Sequence, residues 1–176
     1  LPRGGSDAAP PHACEDLVFK DYAPLAFAHL RAAFGVGPAE FLLSVAGEQP
    51  LRELGAPGKS GSRFLATQDG RYLFKTVTKR ESRFLRAALP AYYCHVLSYP
   101  SSLLPRFFAL VRCKLPRAAE RQRFVVMNNV LPEGSPLQRF DLKGSSLGRF
   151  ATPAERRDPN AILKDKDFSE KLLLPE

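Results

Sequence analysis

Two short runs of alternating apolar and polar positions flank Asp69-Gly70. They cover residues 63–67 and 72–77. Alternation with a period of two is typical of a strand with one buried face, and Asp-Gly between two such runs is a strong hairpin signal. A two-residue loop at Asp69-Gly70 would place Phe64 opposite Lys75, with Lys75 on the same face as two apolar neighbours.

Helical periodicity precedes the hairpin. Apolar positions three and four residues apart predict an amphipathic helix over residues 17–34, interrupted near Tyr22-Ala23-Pro24. Pro38 favours the start of a second, short helix that runs through Leu43. Residues 47–57, with their glycines and prolines, are predicted to form a loop.

A second helical segment follows the hairpin. Residues 78–81, Thr-Lys-Arg-Glu, form a capping-box pattern that predicts a helix start. Pro90 is expected to end this helix and to begin another. The first of these helices would carry Phe84, Leu85, Ala88 and Leu89 toward the core. Three strand-like runs then follow, at residues 107–115, 122–127 and 139–142, with the second pairing with the first.

These elements predict an α+β fold in which an antiparallel sheet has flanking helices. The 176 residues suffice for one domain with a sizeable core, and no apolar run is long enough to span a membrane. Residues 1–16 are expected to form a disordered tail without the pattern of a signal peptide. Three widely spaced cysteines favour neither a disulfide framework nor a zinc site and fit a reducing cytosol. We interpret the chain as a piece of a longer product.

The net charge of +8 is unevenly distributed. Residues 59–149 carry +12, whereas the segments before and after them carry −3 and −1. Such a basic segment predicts a polyanionic partner, which could be a nucleotide, an anionic lipid surface or a nucleic acid.

A small, glycine-bearing turn precedes the hairpin. Lys75 would lie roughly 10 Å along the strand from this turn, a distance that a lysine side chain largely covers. Kinases hold nucleotide phosphates with a lysine on the inner face of such a hairpin, beneath a glycine-rich turn. The alternative is a lysine with a buried stem that reaches solvent, beside a turn whose glycines serve only for bending. These residues alone leave both interpretations open. The turn contains Gly58, Ser60, Gly61 and Ser62.

Two further features have a kinase interpretation and a simpler one. Glu81 either pairs with the strand lysine, as the glutamate of the following helix does in kinases, or only caps its own helix. The strand-like run before Pro132 either meets an adenine as a hinge or is an ordinary strand exit. The hinge candidates are Met127, Asn128, Asn129 and Val130.

Residues 141–149, DLKGSSLGR, combine Lys143 and Arg149 with small residues. The backbone N–H groups of such a loop, together with the two cations, could hold a phosphate. Taken by itself, the segment is better explained as a solvated basic turn.

Several long blocks in one order resemble the phosphatidylinositol phosphate kinases. They are SGSRFLATQDGRYLFKT, FLRAALPAYYCHVLSYPSSLLPRFFAL, FVVMNNVLP and RFDLKGSSLGR. The similarity runs from Phe19 to Phe168 and is closest to the 4-phosphate 5-kinase branch. It implies that residues 17–176 are the amino-terminal lobe of a phosphatidylinositol phosphate kinase fold with the start of its carboxy-terminal lobe.

The resemblance also implies a function. ATP and Mg²⁺ would be the cofactors, and the γ-phosphate would pass to the inositol ring of a membrane phosphoinositide. Residues 58–62 match the phosphate-covering loop, Lys75 the ATP-phosphate lysine, and residues 127–130 the hinge. Lys143 and Arg149 match the segment near the transferred phosphate and the lipid headgroup. A cytoplasmic protein that is peripheral at membranes, the plasma membrane in particular, is expected.

One departure from the family pattern is serious. The family's catalytic aspartate lies in an Asp-Tyr-Ser-Leu-Leu-like segment and its metal-binding aspartate in an Ile-Ile-Asp-like segment, and neither occurs among these 176 residues. The domain is therefore expected to be truncated before both, with no metal ligands in this segment and negligible kinase activity of its own.

Two other functions compete with the kinase. One is a catalytically inactive relative that acts as a scaffold for active phosphoinositide kinases at membranes. The other is a nucleic-acid-binding module, which would need exposed aromatic side chains between the cations. Because the phenylalanines at 64, 74, 84 and 124 stand at expected core positions, we expect no nucleic-acid partner.

Overall fold

The computed structural model describes residues 4–6, 9–12, 18–54, 61–114, 121–130, 138–159 and 161–169. The chain forms two compact units, Leu1–Pro132 and Glu133–Glu176. No helix in the described part of the chain is both long and apolar enough to cross a bilayer.

A six-stranded antiparallel sheet forms the centre of the first unit, which confirms the predicted fold class. Its strand order is β3-β7-β8-β6-β5-β4. Two further strands outside this sheet, β1 (Gly4–Ser6) and β2 (Ala9–His12), pair with each other. The sheet strands are β3 (Val18–Asp21), β4 (Arg52–Glu53), β5 (Phe64–Ala66), β6 (Tyr72–Thr76), β7 (Phe107–Lys114) and β8 (Gln122–Asn128).

Three helices cover the two faces of this sheet. Helices α1 (Pro24–Ala33) and α3 (Lys79–Ser98) pack on one face, and α2 (Pro38–Ala46) packs on the other. Neighbouring residues of a strand point to opposite faces, so Leu110 joins the α1–α3 side while Val111 joins the other cluster. The first cluster comprises Phe27, Leu30, Leu89, Val96, Leu110 and Val125.

The second unit is small and combines one strand pair with short helical turns. Strand β9 (Arg139–Asp141) pairs in parallel with β10 (Ile162–Lys164), a partner that the sequence analysis did not predict. Between them lies α4 (Pro153–Arg157), which begins with a capping box at Thr152. A 3₁₀ turn, Asp165–Asp167, follows β10 directly.

The helix predicted over residues 17–34 was wrong in its first part. Residues Val18–Asp21 form β3, and α1 begins at Pro24, where the interruption was expected. Strands β1 and β2 lie within residues 1–16, and the disorder expected of that segment stays a prediction. Pro24 occupies the first turn of α1, where its missing N–H costs nothing, and the residues before it pair with β7.

Helix α3 continues through Pro90, where we predicted a break between two helices. Proline inside a helix removes one backbone hydrogen bond. Leu89 and Val96 are buried in the same cluster, so packing on the sheet holds both halves of the helix in line. Phe84, predicted to point inward, is exposed. It therefore no longer supports the argument against a nucleic-acid partner.

Candidate functional site

The hairpin of β5 and β6 forms in the predicted register. Phe64 pairs with Lys75, and Lys75 pairs on its other side with Val125 of β8. Cross-strand partners share a face, and Val125 belongs to the cluster beneath α1 and α3. Lys75 is therefore a half-buried cation on the face of the sheet that α1 and α3 cover.

The turn of this hairpin is wider than the two-residue loop expected at Asp69-Gly70. The Gly70 N–H donates to the Thr67 carbonyl at 2.9 Å, and residues 68–71 form the connection. The buried Thr67 hydroxyl donates to Asp69 Oδ1 at 2.5 Å and accepts from the Tyr72 N–H at 3.2 Å. Gly70 has a φ of 68°, a left-handed conformation that glycine adopts without strain.

Lys75 has no partner within salt-bridge distance among the described residues. Glu81, its proposed partner, instead forms the capping box of α3. Its carboxylate accepts from the Thr78 N–H at 2.7 Å, and its own N–H donates to Thr78 Oγ1 at 3.1 Å. The bond from the Thr78 N–H is the largest cause of the lowered pKa of Glu81, and the charge of Lys75 acts in the same direction. The two charges influence each other without forming a pair.

The glycine-bearing turn lies in the connection between β4 and β5. Gly58 and Ser60 fall outside the described residues, whereas Gly61 and Ser62 are described. Gly61 has a φ of +68°, and apart from its chain neighbours no atom of the described residues lies within 4 Å of the position that a Cβ would occupy. This open, left-handed position permits close approach of a ligand to the backbone.

A bidentate ion pair closes the base of this connection. Arg63 donates to both carboxylate oxygens of Glu53, from Nε at 2.8 Å and from its terminal nitrogen at 3.0 Å. The Leu54 N–H donates to the Phe64 carbonyl at 2.9 Å. Strand β4 is thereby fixed against β5 just where the turn begins and ends. Sequence reasoning missed this pair, because ten residues separate its members.

The hinge candidates lie at the end of β8, where Asn129 contacts the hairpin turn. Its N–H donates to the Arg71 carbonyl at 2.9 Å and its side-chain amide to the Gly70 carbonyl at 2.8 Å. The Asn128 N–H donates to the Arg106 carbonyl at 3.1 Å. Met127 packs against the α1–α3 cluster and Val130 is exposed. Both asparagine N–H groups are thus engaged within the protein.

Lys143 and Arg149 lie in the second unit, in very different surroundings. Arg149 has a side chain that is only 13% exposed and donates from Nε to Asp165 Oδ2 at 2.6 Å. Its terminal nitrogen contacts the Asp141 carbonyl and carboxylate. Lys143, with a side chain 59% exposed, contacts the Asp141 carboxylate. Of the two cations, Lys143 is therefore the more accessible to a ligand.

The backbone of the same loop already binds an anion, the carboxylate of Asp165. The N–H groups of Lys143 and Gly144 donate to Asp165 Oδ1 at 2.7 and 2.8 Å. The sequence predicted that such N–H groups would be available to a phosphate, but these two are occupied from within the chain. No motif spacing indicated Asp165, which becomes a neighbour only through the parallel pairing of β9 with β10.

Acid is expected to weaken the second unit through Asp165. Hydrogen bonds, first from Arg149 and then from the loop N–H groups, hold its pKa far below the usual value near 3.8. A depressed pKa contributes stability that is present above the unfolded-state value and is lost as the pH falls below it. Thermal melts followed by circular dichroism from pH 5 to pH 2 should show a smaller loss of Tm for Asp165→Asn than for the unchanged chain.

The control for this titration is Glu48→Gln, which removes an exposed carboxyl group from the first unit. The Tm of this variant should fall with decreasing pH as steeply as the Tm of the unchanged chain. An identical slope for Asp165→Asn and the unchanged chain would contradict a role for Asp165 in acid sensitivity.

Within the described ranges, no group of three or more His, Cys, Asp or Glu side chains is placed to hold a metal ion.

Together these elements define the class of protein. A glycine-bearing loop, a lysine on the second strand after it and a capped helix against the same face form the amino-terminal lobe of a kinase. The family model for phosphatidylinositol-4-phosphate 5-kinase matches residues 45–176. The chain belongs to this family, which confirms the resemblance found in the sequence.

Individual relatives agree with this assignment. Phosphatidylinositol 4-phosphate 5-kinase 5 of Arabidopsis thaliana is 47% identical over 172 residues, which cover 96% of this chain and 22% of that protein. Phosphatidylinositol 4-phosphate 5-kinase type-1 sktl of Drosophila melanogaster is 44% identical over 171 residues, 97% of this chain and 21% of that protein. The chain thus spans about a fifth of the length of these curated relatives.

Proposed function

We propose that this chain supplies the ATP-phosphate clamp and a lipid-contacting segment of a phosphatidylinositol 4-phosphate 5-kinase. The parent enzyme would transfer the γ-phosphate of ATP to the inositol ring of a phosphoinositide in an anionic membrane. The observation that carries the proposal is Lys75, a half-buried cation with no salt-bridge partner among the described residues, on the second strand after the glycine-bearing connection.

Electrostatics support the role of Lys75. An ammonium group that is partly withdrawn from water loses hydration free energy, and attraction to a bound anion offsets that loss. Nucleotide phosphates would approach from the connection between β4 and β5, where Gly61 leaves space at the backbone. Residues 58–62 would cover those phosphates, and Lys75 would hold them in position.

The proposed roles of Glu81 and of the hinge segment 127–130 are limited by hydrogen bonds that these residues already form within the protein. Glu81 would pair with Lys75 only by giving up its bond from the Thr78 N–H, so we propose the pairing for the nucleotide-bound state. An adenine would be met by the segment 127–130. Since the N–H groups of Asn128 and Asn129 are engaged, Val130 is the member that we propose to meet the base.

The lipid contact is proposed for the second unit. Lys143 would contact the phosphate of the headgroup, while Arg149 would act mainly by shaping the loop, since its guanidinium is bound by Asp141 and Asp165. The +12 charge of residues 59–149 would attract both the nucleotide and an anionic cytoplasmic membrane surface, such as the plasma membrane. No step through Mg²⁺ is assigned to the described residues.

The 176-residue chain is expected to bind a non-hydrolysable ATP analogue yet to phosphorylate phosphatidylinositol 4-phosphate negligibly. The chain contains the clamp but neither aspartate-bearing segment of the family pattern. Calorimetric titration measures the binding, and transfer of radiolabelled phosphate from ATP to lipid vesicles measures the activity.

Robust product from the purified chain would overturn the expected inactivity. Absence of analogue binding would overturn the nucleotide clamp and favour the scaffold alternative, in which the chain binds other phosphoinositide kinases at membranes.

A further inference from the structure

Asp165 is the central acceptor of the loop that contains Lys143 and Arg149. Its carboxylate accepts from the N–H groups of Lys143 and Gly144 with one oxygen and from Arg149 Nε with the other. The side chain is only 15% exposed. This arrangement, in which two successive N–H groups and a guanidinium converge on one carboxylate, is a preorganised anion-binding site. Its anion is the Asp165 carboxylate, 21 residues along the chain from Gly144.

The same contacts determine where the cations of the loop lie. With Nε bound to Asp165, the terminal nitrogen of Arg149 reaches Asp141, and Asp141 in turn contacts the ammonium of Lys143. Gly144 takes a φ of +66° beside these bonds. The backbone at Lys143 is thereby fixed while its side chain stays exposed.

We propose that Asp165 is a positioning residue for the lipid-contacting segment, which holds the loop so that Lys143 can meet a phosphate monoester of an inositol lipid. This inference rests on the proposed function. Asp165 does not contact the ligand in this arrangement, since a carboxylate would repel a phosphate. It acts through the bonds from Lys143, Gly144 and Arg149.

Asp167 provides a matched control in the same 3₁₀ turn. Its carboxylate accepts from the Ala151 N–H at 2.7 Å and forms an ion pair with Arg156 at 2.7 Å, and neither partner belongs to the loop. Asp165→Ala and Asp167→Ala each remove one negative charge and a set of hydrogen bonds from the same turn. Asp165→Ala removes hydrogen bonds to the loop of Lys143 and Arg149, whereas Asp167→Ala removes bonds to residues outside that loop.

The experiment compares the full 176-residue chain and both variants in binding to two kinds of vesicle. One contains phosphatidylinositol 4-phosphate, and the other contains phosphatidylserine at equal total charge. Loss of a negative charge alone would strengthen binding to both vesicles. If Asp165 positions the loop, Asp165→Ala should have the opposite effect, a roughly 5- to 10-fold loss of affinity for the phosphoinositide vesicles. This loss is smaller than that for removal of a charged contact, because Lys143 itself is kept. Asp167→Ala should bind them at least as tightly as the unchanged chain.

Hydrogen exchange separates loop order from lipid binding. The amides of Lys143 and Gly144 should exchange faster in Asp165→Ala and at the unchanged rate in Asp167→Ala. Should Asp165→Ala fail to fold, Arg149→Lys keeps the charge, removes the Nε bond and should produce the same loss of phosphoinositide preference.

Each alternative outcome contradicts either the positioning role of Asp165 or the proposed lipid contact. The positioning role is overturned if Asp165→Ala keeps the full preference for phosphoinositide vesicles. If Arg149→Lys has to replace that variant, the same result in Arg149→Lys overturns it. An equal loss in Asp167→Ala also overturns it, because the effect would then belong to the turn as a whole. If the unchanged chain itself shows no preference for the phosphoinositide, or if inorganic phosphate binds to it as tightly, the proposed lipid contact fails together with the inference.

Discussion

Replacing Lys75 by alanine should weaken the binding of a non-hydrolysable ATP analogue to the chain by about 10- to 100-fold. A charge-assisted contact to a phosphate contributes roughly 1.5–3 kcal/mol, which corresponds to that range. The site also loses its half-buried cation, and no described residue forms an ion pair that would keep Lys75 in place without ligand. Calorimetric titration of the chain and the variant measures the change in Kd.

Lys20→Ala is the control for this experiment. Lys20 lies on β3 of the same sheet, three strand positions from β6, and its removal changes the net charge equally. The Kd of the Lys20→Ala variant for the ATP analogue should stay within about twofold of that of the unchanged chain, because surface charges at that distance are largely screened. Equal losses in the two variants would show that binding reflects overall charge, and no loss in Lys75→Ala would refute the clamp.

Replacing Leu110 by alanine should lower the free energy of unfolding by about 2–5 kcal/mol, the range for leucine-to-alanine changes in well-packed cores. Leu110 is fully buried, at 0% exposure, in the cluster between strand β7 and helices α1 and α3. Much of the stability of a small domain would disappear with this one side chain. Urea unfolding followed by circular dichroism measures the loss.

Leu25→Ala makes the same chemical change at a residue that is 85% exposed at the start of α1. It should change the free energy of unfolding by less than about 0.5 kcal/mol. Comparable losses in the two variants would contradict the packing of β7 beneath α1 and α3.

Local signals predicted the hairpin and the face of Lys75 because both depend on a short stretch of chain. Alternation determines which side chains share a face. A turn centred on Asp69-Gly70 places Phe64 opposite Lys75, and the wider turn that forms has the same centre and therefore the same register. The Thr78–Glu81 cap was equally readable, since both partners lie within one helical turn.

The errors occurred where tertiary contacts outweigh local preference. The residues Val18–Asp21 form a strand because β7 offers an edge to pair with, although their spacing also suits a helix. Pro90 should break a helix by itself, but burial on both sides of it stabilises a continuous α3. Asp165 could not be found from the sequence, since its partners lie 16 to 22 residues away.

Asn129 has a mechanical consequence for the lobe. Its backbone N–H and its side-chain amide donate to two consecutive carbonyls of the hairpin turn, so the end of β8 is bonded to the tip of the β5–β6 hairpin. The second strand of that hairpin carries Lys75. The proposed hinge segment and the strand of the proposed clamp lysine are therefore linked through one residue, and a shift of either would be transmitted to the other.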